Sequence, residues 1–422
     1  MNEKRRQRRD FLQNLAITVL AVSAVLLFAQ TQLYSLSPEA SLRRFLSGSA
    51  QADGSAVSQQ DLPVTTPMRV AVSGPYGRYG SITATTGEDD LLRGLLREVL
   101  GSTGTFTHCG QEEFLQSLQN TSVYYDFLTT LPLSILAETA GTDSPSEPSA
   151  RYLVVSGPQD PVSLFLWDGD TSYLRCSTAV SLKSLEQTVS QYELGSAMFA
   201  ADLAEQDINA TDLSPCSLFL EQTPSLSSLT SEIPAWDDSL LLADLRFNPN
   251  TKNRYTDNGT EVISESGRSL RLRPDGSVTY QSGGDGTLSI EAAGDVPTLK
   301  EAVAGVGTLL NSLLAPTAGD EVLYLQSIRQ SGSLTTLTFA YHVGGVPVRF
   351  SDGSSAAEVT LDHKAVSALS LRICRYTATG TPSLLLPLRQ ALAIAQRHPG
   401  AELSIGYADY GAGTVEASWL AD

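Results

Sequence analysis

The first strong pattern along the chain is an unbroken one. Residues 11–33, FLQNLAITVLAVSAVLLFAQTQL, contain no Asp, Glu, Lys, Arg, Gly or Pro, and their polar members crowd toward the two ends. At 1.5 Å of rise per residue this run supplies the roughly 20 residues that a bilayer crossing needs. It predicts a membrane-spanning helix. A cleaved secretory signal also carries an apolar middle behind a basic head, but that middle usually has only ~7–15 residues and ends at a small-residue exit that this run lacks. The reading is therefore an uncleaved anchor.

After the anchor the periods shorten. Residues 34–66 mix Ser, Gly, Ala and Gln and read as a stalk. Leu91, Leu92, Leu95, Leu96, Val99 and Leu100 recur at helical spacing behind an acidic start and ahead of Gly101, which predicts a helix over 88–100. A short helix follows at 111–119. ARYLVVSG and PVSLFLWDGDTSYLRCSTA predict three strands in a row, with Asp168-Gly169-Asp170 as a turn, and a helix follows at 181–192. From Leu240 the pattern becomes a meander of three candidate strands with turns at Asp257-Asn258-Gly259, Ser266-Gly267 and Pro274-Asp275-Gly276. Residues 297–314 carry one broad apolar stripe, Leu299, Val303, Val306, Leu309, Leu310, Leu313 and Leu314, behind a proline suited to a first turn. Five strand candidates come next, then a helix after Pro387 and a last pair of strands.

These elements give an α+β class: a single N-terminal transmembrane helix followed by a multidomain extracytoplasmic part with antiparallel sheets and packed helices. The expected divisions are a basic head at 1–10, the helix at 11–33, the stalk at 34–66, and α+β domains at 67–180, 181–290 and 291–422.

Charge adds direction. Lys4, Arg5, Arg6, Arg8 and Arg9 precede the apolar run, which holds the N-terminus in the cytoplasm and sends the C-terminus outside, as in a single-pass cell-membrane protein. The whole chain has a net charge of −18, the wrong sign for nucleic acid. Ala16, Ala21, Ser23 and Ala24 are small enough to let another helix approach closely.

Candidate chemistry is sparse. Cys109, Cys176, Cys216 and Cys374 are far apart, no CxxC, HExxH, GxSxG or phosphate-loop spacing occurs, and the Asp-Gly-Asp and Asp-Asn-Gly runs do not continue as calcium loops. Of the four histidines, His342 alternates with apolar neighbours in FAYHVGG and is expected to face solvent or serve structure. A pair of carboxylates for glycoside hydrolysis would exist only in space. The expectation is a protein without catalytic residues, cofactor or metal: a regulator working through transmembrane and extracytoplasmic contacts, or alternatively a cell-envelope structural or ligand-sensing module with a groove between domains. An envelope hydrolase is the third choice.

The segments RFNPNTKNRYTDNGTEVISESGRSLRLRPDGSVTY, LTFAYHVGGVPVRF, LLPLRQALAIAQ and VEASW resemble the YycH family of extracytoplasmic regulators of the WalK/WalR (YycG/YycF) two-component system. The positions that carry the resemblance are Phe247, Tyr255, Gly259, Asp275, Gly276, Tyr280, Phe339, Tyr341, Gly345, Pro347 and Trp419. They read as turns and packing rather than ligand contacts. The resemblance implies a membrane sensor histidine kinase and a YycI-like single-span protein as partners, a bilayer around the anchor, and a role in cell-wall homeostasis.

Overall fold

The computed structural model describes residues 65–82, 90–142, 148–195, 197–206, 213–235, 237–283, 288–395, 402–411 and 413–421. The predicted spanning segment 11–33 lies outside these residues, and so do Lys4, Arg5, Arg6, Arg8, Arg9, Ala16, Ala21, Ser23 and Ala24.

Among the described residues no helix is long and apolar enough to cross a membrane. The longest, Leu299–Leu314, has 16 residues, which at 1.5 Å per residue covers about 24 Å against ~30 Å of hydrocarbon. It is also one-sided, with Val303, Val306, Leu310 and Leu313 buried while Ala304, Thr308, Asn311 and Ser312 are exposed. The expectation of a transmembrane fold is corrected on this ground. The structure supports an α+β fold of antiparallel sheets and helices. The signal-anchor reading, the single-pass cell-membrane localisation and regulation through a membrane helix have no spanning segment among the described residues to rest on.

The first part of the fold is a seven-stranded antiparallel sheet. Its strands are β1 (Arg69–Gly74), β2 (Gly77–Ser81), β3 (Thr107–His108), β4 (Ser122–Pro132), β5 (Ser149–Ser156), β6 (Ser163–Trp167) and β7 (Tyr173–Ser177), in the order β2-β1-β4-β5-β6-β7-β3. Both faces are covered, so the strands read as nearly continuous apolar runs. Helices α1 (Asp90–Gly101), α3 (Leu133–Ala140) and α4 (Leu182–Val189) lay Leu92, Leu96, Val99, Leu136 and Leu185 against Val72, Tyr125, Leu153 and Val155. Helix α2 (Gln111–Gln119) covers the other face, where Phe114 packs with Tyr124, Tyr152 and Trp167. That face is aromatic, with Tyr152 and Trp167 stacked at 4.8 Å between ring centroids.

A small pair, β8 (Ala197–Phe199) with β9 (Leu218–Leu220), precedes β10 (Ser227–Glu232). Residues 240–244, expected to open the meander, belong instead to α5 (Asp238–Asp244). The Asp237 side chain accepts from the Ser239 N–H at its start, and Leu241 and Leu242 are buried on one side. The meander proper has four strands, β11 (Arg254–Asp257), β12 (Thr260–Glu265), β13 (Arg268–Leu272) and β14 (Ser277–Gln281). Helix α6 (Leu299–Leu314) begins with a reciprocal cap between Thr298 and Glu301.

The strands β15 (Glu321–Ser331), β16 (Leu334–Val343), β17 (Val346–Phe350), β18 (Ala357–Asp362) and β19 (Ala365–Arg372) come next. The fifth expected strand breaks at Ile373-Cys374, and β20 (Arg375–Pro382) leaves to pair with β10. After α7 (Leu388–Ala395) come β21 (Leu403–Asp409), β22 (Thr414–Val415) and β23 (Ala417–Ala421). An eleven-stranded sheet results, in the order β11-β12-β13-β14-β19-β18-β16-β17-β21-β23, with β15 added on β16. The β14–β19 pairing carries the meander into the same sheet as the later strands. Side chains of both large sheets belong to one continuous apolar core.

Candidate functional site

The site lies where the two large sheets meet. In the first sheet, Arg69 of β1 stands opposite Asp126 of β4, and Asp126 stands opposite Tyr152, beside Arg151. The second sheet brings Glu402, the residue before β21. Arg69 Nη1 donates to Asp126 Oδ2 at 3.3 Å and to Glu402 Oε1 at 2.8 Å. Arg151 donates through Nε to Asp126 Oδ1 at 3.0 Å and through Nη2 to Glu402 Oε1 at 2.7 Å. Two cations and two anions thus close a ring between the sheets.

Burial makes this ring electrostatically strong. Desolvation would push the Glu402 carboxyl upward, but the charges of Arg69 and Arg151 and their hydrogen bonds outweigh it and hold the group down at about 2. Burial likewise works against the Arg69 charge, and Asp126 and Glu402 overcome it, so its pKa is raised. Each charge is kept by its partners, as a desolvated ion requires.

A bulge in β4 shapes the space above the ring. Its register shifts between Asp126 and Leu131, and Leu128 sits at φ +59°, a left-handed conformation that is costly for leucine. Neighbours hold it there. The Leu128 N–H donates to Asp126 Oδ1 at 2.7 Å, the Tyr324 hydroxyl donates to the Phe127 carbonyl at 2.6 Å, and the Thr129 hydroxyl donates to the Gln326 carbonyl. The bulge therefore stitches β4 to β15.

Between the bulge, β15, β16 and β17 lies a cleft of about 220 Å³. Arg69, Arg151 and Glu402 line one side. Tyr324, Ala340, Val348 and Phe350 give apolar wall, and Gln326, Arg349, Ser354 and Ser355 give polar rim. The rim loop is fixed from below, because Arg372 donates to Asp352 Oδ2 at 2.9 Å and to Ser354 Oγ at 3.1 Å and lies 4.3 Å over the Phe350 ring.

His342 also lines this cleft. Of the two roles expected for it, facing solvent or serving structure, the structure excludes the first: His342 is buried to 2 % exposure against Tyr324, with 4.7 Å between ring centroids. The reason is what covers that face of β16: His342 shares the cleft with Arg69 and Leu128 of the first sheet, so the side chain projects toward protein and not toward water. Burial, with the nearby charges of Arg349 and Arg69, lowers the imidazole pKa to about 3 despite a hydrogen bond to the Gly345 backbone. The ring is neutral at ordinary pH. Nδ1 has no hydrogen-bond partner, so the bond to Gly345 uses the other nitrogen, and Nδ1 presents a lone pair.

The residues singled out from sequence fall mostly outside the cleft. Phe247, Tyr280 and Phe339 are buried, with Phe247 and Tyr280 edge to face at 6.1 Å. Tyr341 is buried and donates to the Arg372 carbonyl at 2.7 Å. Trp419 donates to the Leu386 carbonyl at 2.8 Å and packs near Phe219. Gly259 and Gly345 sit at positive φ in tight hairpins. Asp275 accepts from the Ser277 N–H at 2.9 Å, and Gly276 has φ +82°. Tyr255 is 58 % exposed on β11. Only Pro347 of this set borders the cleft.

Sequence reasoning missed Arg69, Asp126, Arg151 and Glu402. The available signal was a charge inside an otherwise apolar strand, Asp126 in VYYDFL and Arg151 in ARYLVV. Nothing in the sequence paired them with Glu402. Among the described residues no group of three or more His, Cys, Asp or Glu side chains converges to hold a metal ion. No family model, curated protein or solved structure matches the chain.

Proposed function

We propose that this protein is a binding module and that the cleft between its two large sheets takes a small ligand. The observation that carries this reading is the concave meeting of apolar wall, from Tyr324, Ala340, Val348 and Phe350, with convergent polar groups, from Gln326, Ser354, Ser355 and Glu402. The left-handed Leu128 conformation at its edge fits the same reading, since strained backbone concentrates at functional sites. No catalytic role is assigned to any residue.

The test is a small-molecule screen on the full chain by protein-observed NMR, with Ala340→Phe as a variant that fills the cleft. Binding should shift the resonances of Ala340, Val348, Ser354 and Ser404 and disappear in the variant. Binding that survives cleft filling, or a screen in which nothing binds, overturns the proposal.

The YycH-family resemblance supports protein partners in addition: a sensor histidine kinase and a YycI-like companion. Tyr255 favours a protein contact, because it is a position carrying the resemblance that is exposed on an edge strand. Crosslinking at Tyr255 tests this, and recovery of neither partner rejects it.

A further inference from the structure

Resting on the cleft as a ligand site, we infer that its ligand is a small monocarboxylate with an apolar body, its carboxylate accepting from the Arg69 N–H groups that the ion-pair ring leaves over.

Hydrogen-bond capacity decides the polar end. Arg151 commits all three of its nitrogens to the ring, Nε to Asp126 and both Nη atoms to Glu402. Arg69 reaches both carboxylates through Nη1 alone, so the ring does not use its Nε or Nη2. The Arg69 side chain is 8 % exposed and lines the cleft. The carboxylates are in the opposite state. Asp126 accepts from Arg151 and the Leu128 N–H on Oδ1 and from Arg69 on Oδ2, while Glu402 meets Arg69 and Arg151 on Oε1 and Arg151 again on Oε2. The floor therefore has donors left over, and its acceptors are engaged. A guanidinium in a partly dry site favours an ionised acceptor, because charge-assisted hydrogen bonds are about twice as strong as neutral ones.

Charge acts in the same sense. Arg69, Arg151 and Arg349 line the cleft against one lining carboxylate, Glu402, in a chain whose net charge is −18. A cationic ligand would meet like charge on the floor. The Gln326 amide and the Ser355 hydroxyl add donors at the rim. Arg349 stands exposed, where solvent screens its charge, so Arg69 provides for one carboxylate and not for two.

The wall decides the rest of the molecule. Tyr324, Ala340, Val348 and Phe350 offer apolar surface without charge. A cleft of about 220 Å³ is smaller than the ~300–1,000 Å³ of sites for drug-sized ligands, which restricts the body to one ring or a short chain. A second, apolar slot adjoins it, sharing Arg69, Leu128, Pro347 and Ser404 and continuing along Leu218, Leu403 and Trp419. Apolar surface thus lies on both sides of the Arg69 guanidinium.

The experiment is a protein-observed NMR titration of the full chain with benzoate and hexanoate, against benzamide and hexanamide as neutral counterparts of the same shape, hexylamine as the cationic one, and acetate as the acid without a body. Benzoate or hexanoate should shift Ala340, Val348 and Ser354. The matching amide should bind about tenfold more weakly, acetate about tenfold more weakly for want of apolar contact, and hexylamine not at all. Arg69→Lys keeps a cation for the ring but loses the fork, so it should weaken the acid by about tenfold and leave the weak binding of the amide unchanged, a split that a general loosening of the cleft would not produce. If Arg69→Lys does not fold, the rim variant Gln326→Ala with Ser355→Ala decides, with a several-fold loss of acid binding expected. An amide or amine that binds as well as the acid, or full acid affinity in the deciding variant, overturns the inference. If no acid binds while other compounds from the wider screen do, the inference falls and the binding module stands. If nothing binds in either experiment, both fall.

Discussion

Arg69 and Glu402 meet at 2.8 Å although 333 residues separate them in sequence. One opens the first strand of the seven-stranded sheet and the other immediately precedes β21 of the eleven-stranded sheet. With Asp126 and Arg151 they form the polar floor of the cleft, so the contact that ties the sheets together also builds the site.

Removing Glu402 should therefore cost more than a surface ion pair. In Glu402→Ala, Arg69 and Arg151 keep Asp126 alone, leaving one buried positive charge without compensation. The expected loss is about 3 kcal/mol in a denaturant titration at neutral pH. A loss below about 1 kcal/mol, the range of exposed pairs, would show that the ring is not electrostatically isolated from water.

The same carboxyl sets an acid limit. Its folded pKa of about 2 lies below the ordinary 4.5, so the unfolded chain binds the proton first. Its contribution is fully present above pH 4.5 and is lost as the pH falls through 2. Stability curves for the native chain and Glu402→Gln should run parallel above that window and converge within it.

His342 acts in a window that begins higher and overlaps that of Glu402 only below pH 4.5. Its folded pKa is lowered from 6.5 to about 3, so between these values the unfolded state holds more protons and stability falls as the pH falls. At about 1.4 kcal/mol per pH unit the loss amounts to a few kcal/mol. His342→Phe should remove this slope between pH 6.5 and 4.5, before Glu402 begins to titrate. An unchanged slope in that interval would contradict the burial of the ring.

Two glycine substitutions should move stability in opposite directions. At Gly276, φ is +82° and an added Cβ would stand 2.3 Å from the Ile373 carbonyl oxygen, so Gly276→Ala should destabilise by about 2 kcal/mol or more. Gly307 lies within α6 with nothing inside 4 Å of an added Cβ. Gly307→Ala should stabilise by about 0.5–1 kcal/mol. Thermal melts of the two variants check both signs.

Tyr280 offers a third kind of change. Its ring is fully buried but its hydroxyl has no partner. Tyr280→Phe removes an unsatisfied polar group and keeps the packing on Phe247, so it should be neutral or stabilising by about 1 kcal/mol. A loss of more than that would reveal a hydrogen bond to the hydroxyl.

The sequence by itself determined the local elements, because local elements follow from local periodicity. The leucine spacing of 88–100 and the stripe of 297–314 become α1 and α6, and the turn at Asn258-Gly259 becomes a hairpin. It misread residues 240–244, where the Asp237 cap and two buried leucines favour helix, and it read one strand across the break at Ile373-Cys374. The run at 11–33 carries a strong local signal but lies outside the described residues. Only the tertiary structure decided the site. Arg69, Asp126, Arg151 and Glu402 carry no shared spacing, and His342 looks like an ordinary strand residue until Arg69 and Leu128 of the first sheet close over its face of β16. Hydrophobic period records which face of an element is buried; it holds no record of which distant charge completes a ring across two sheets.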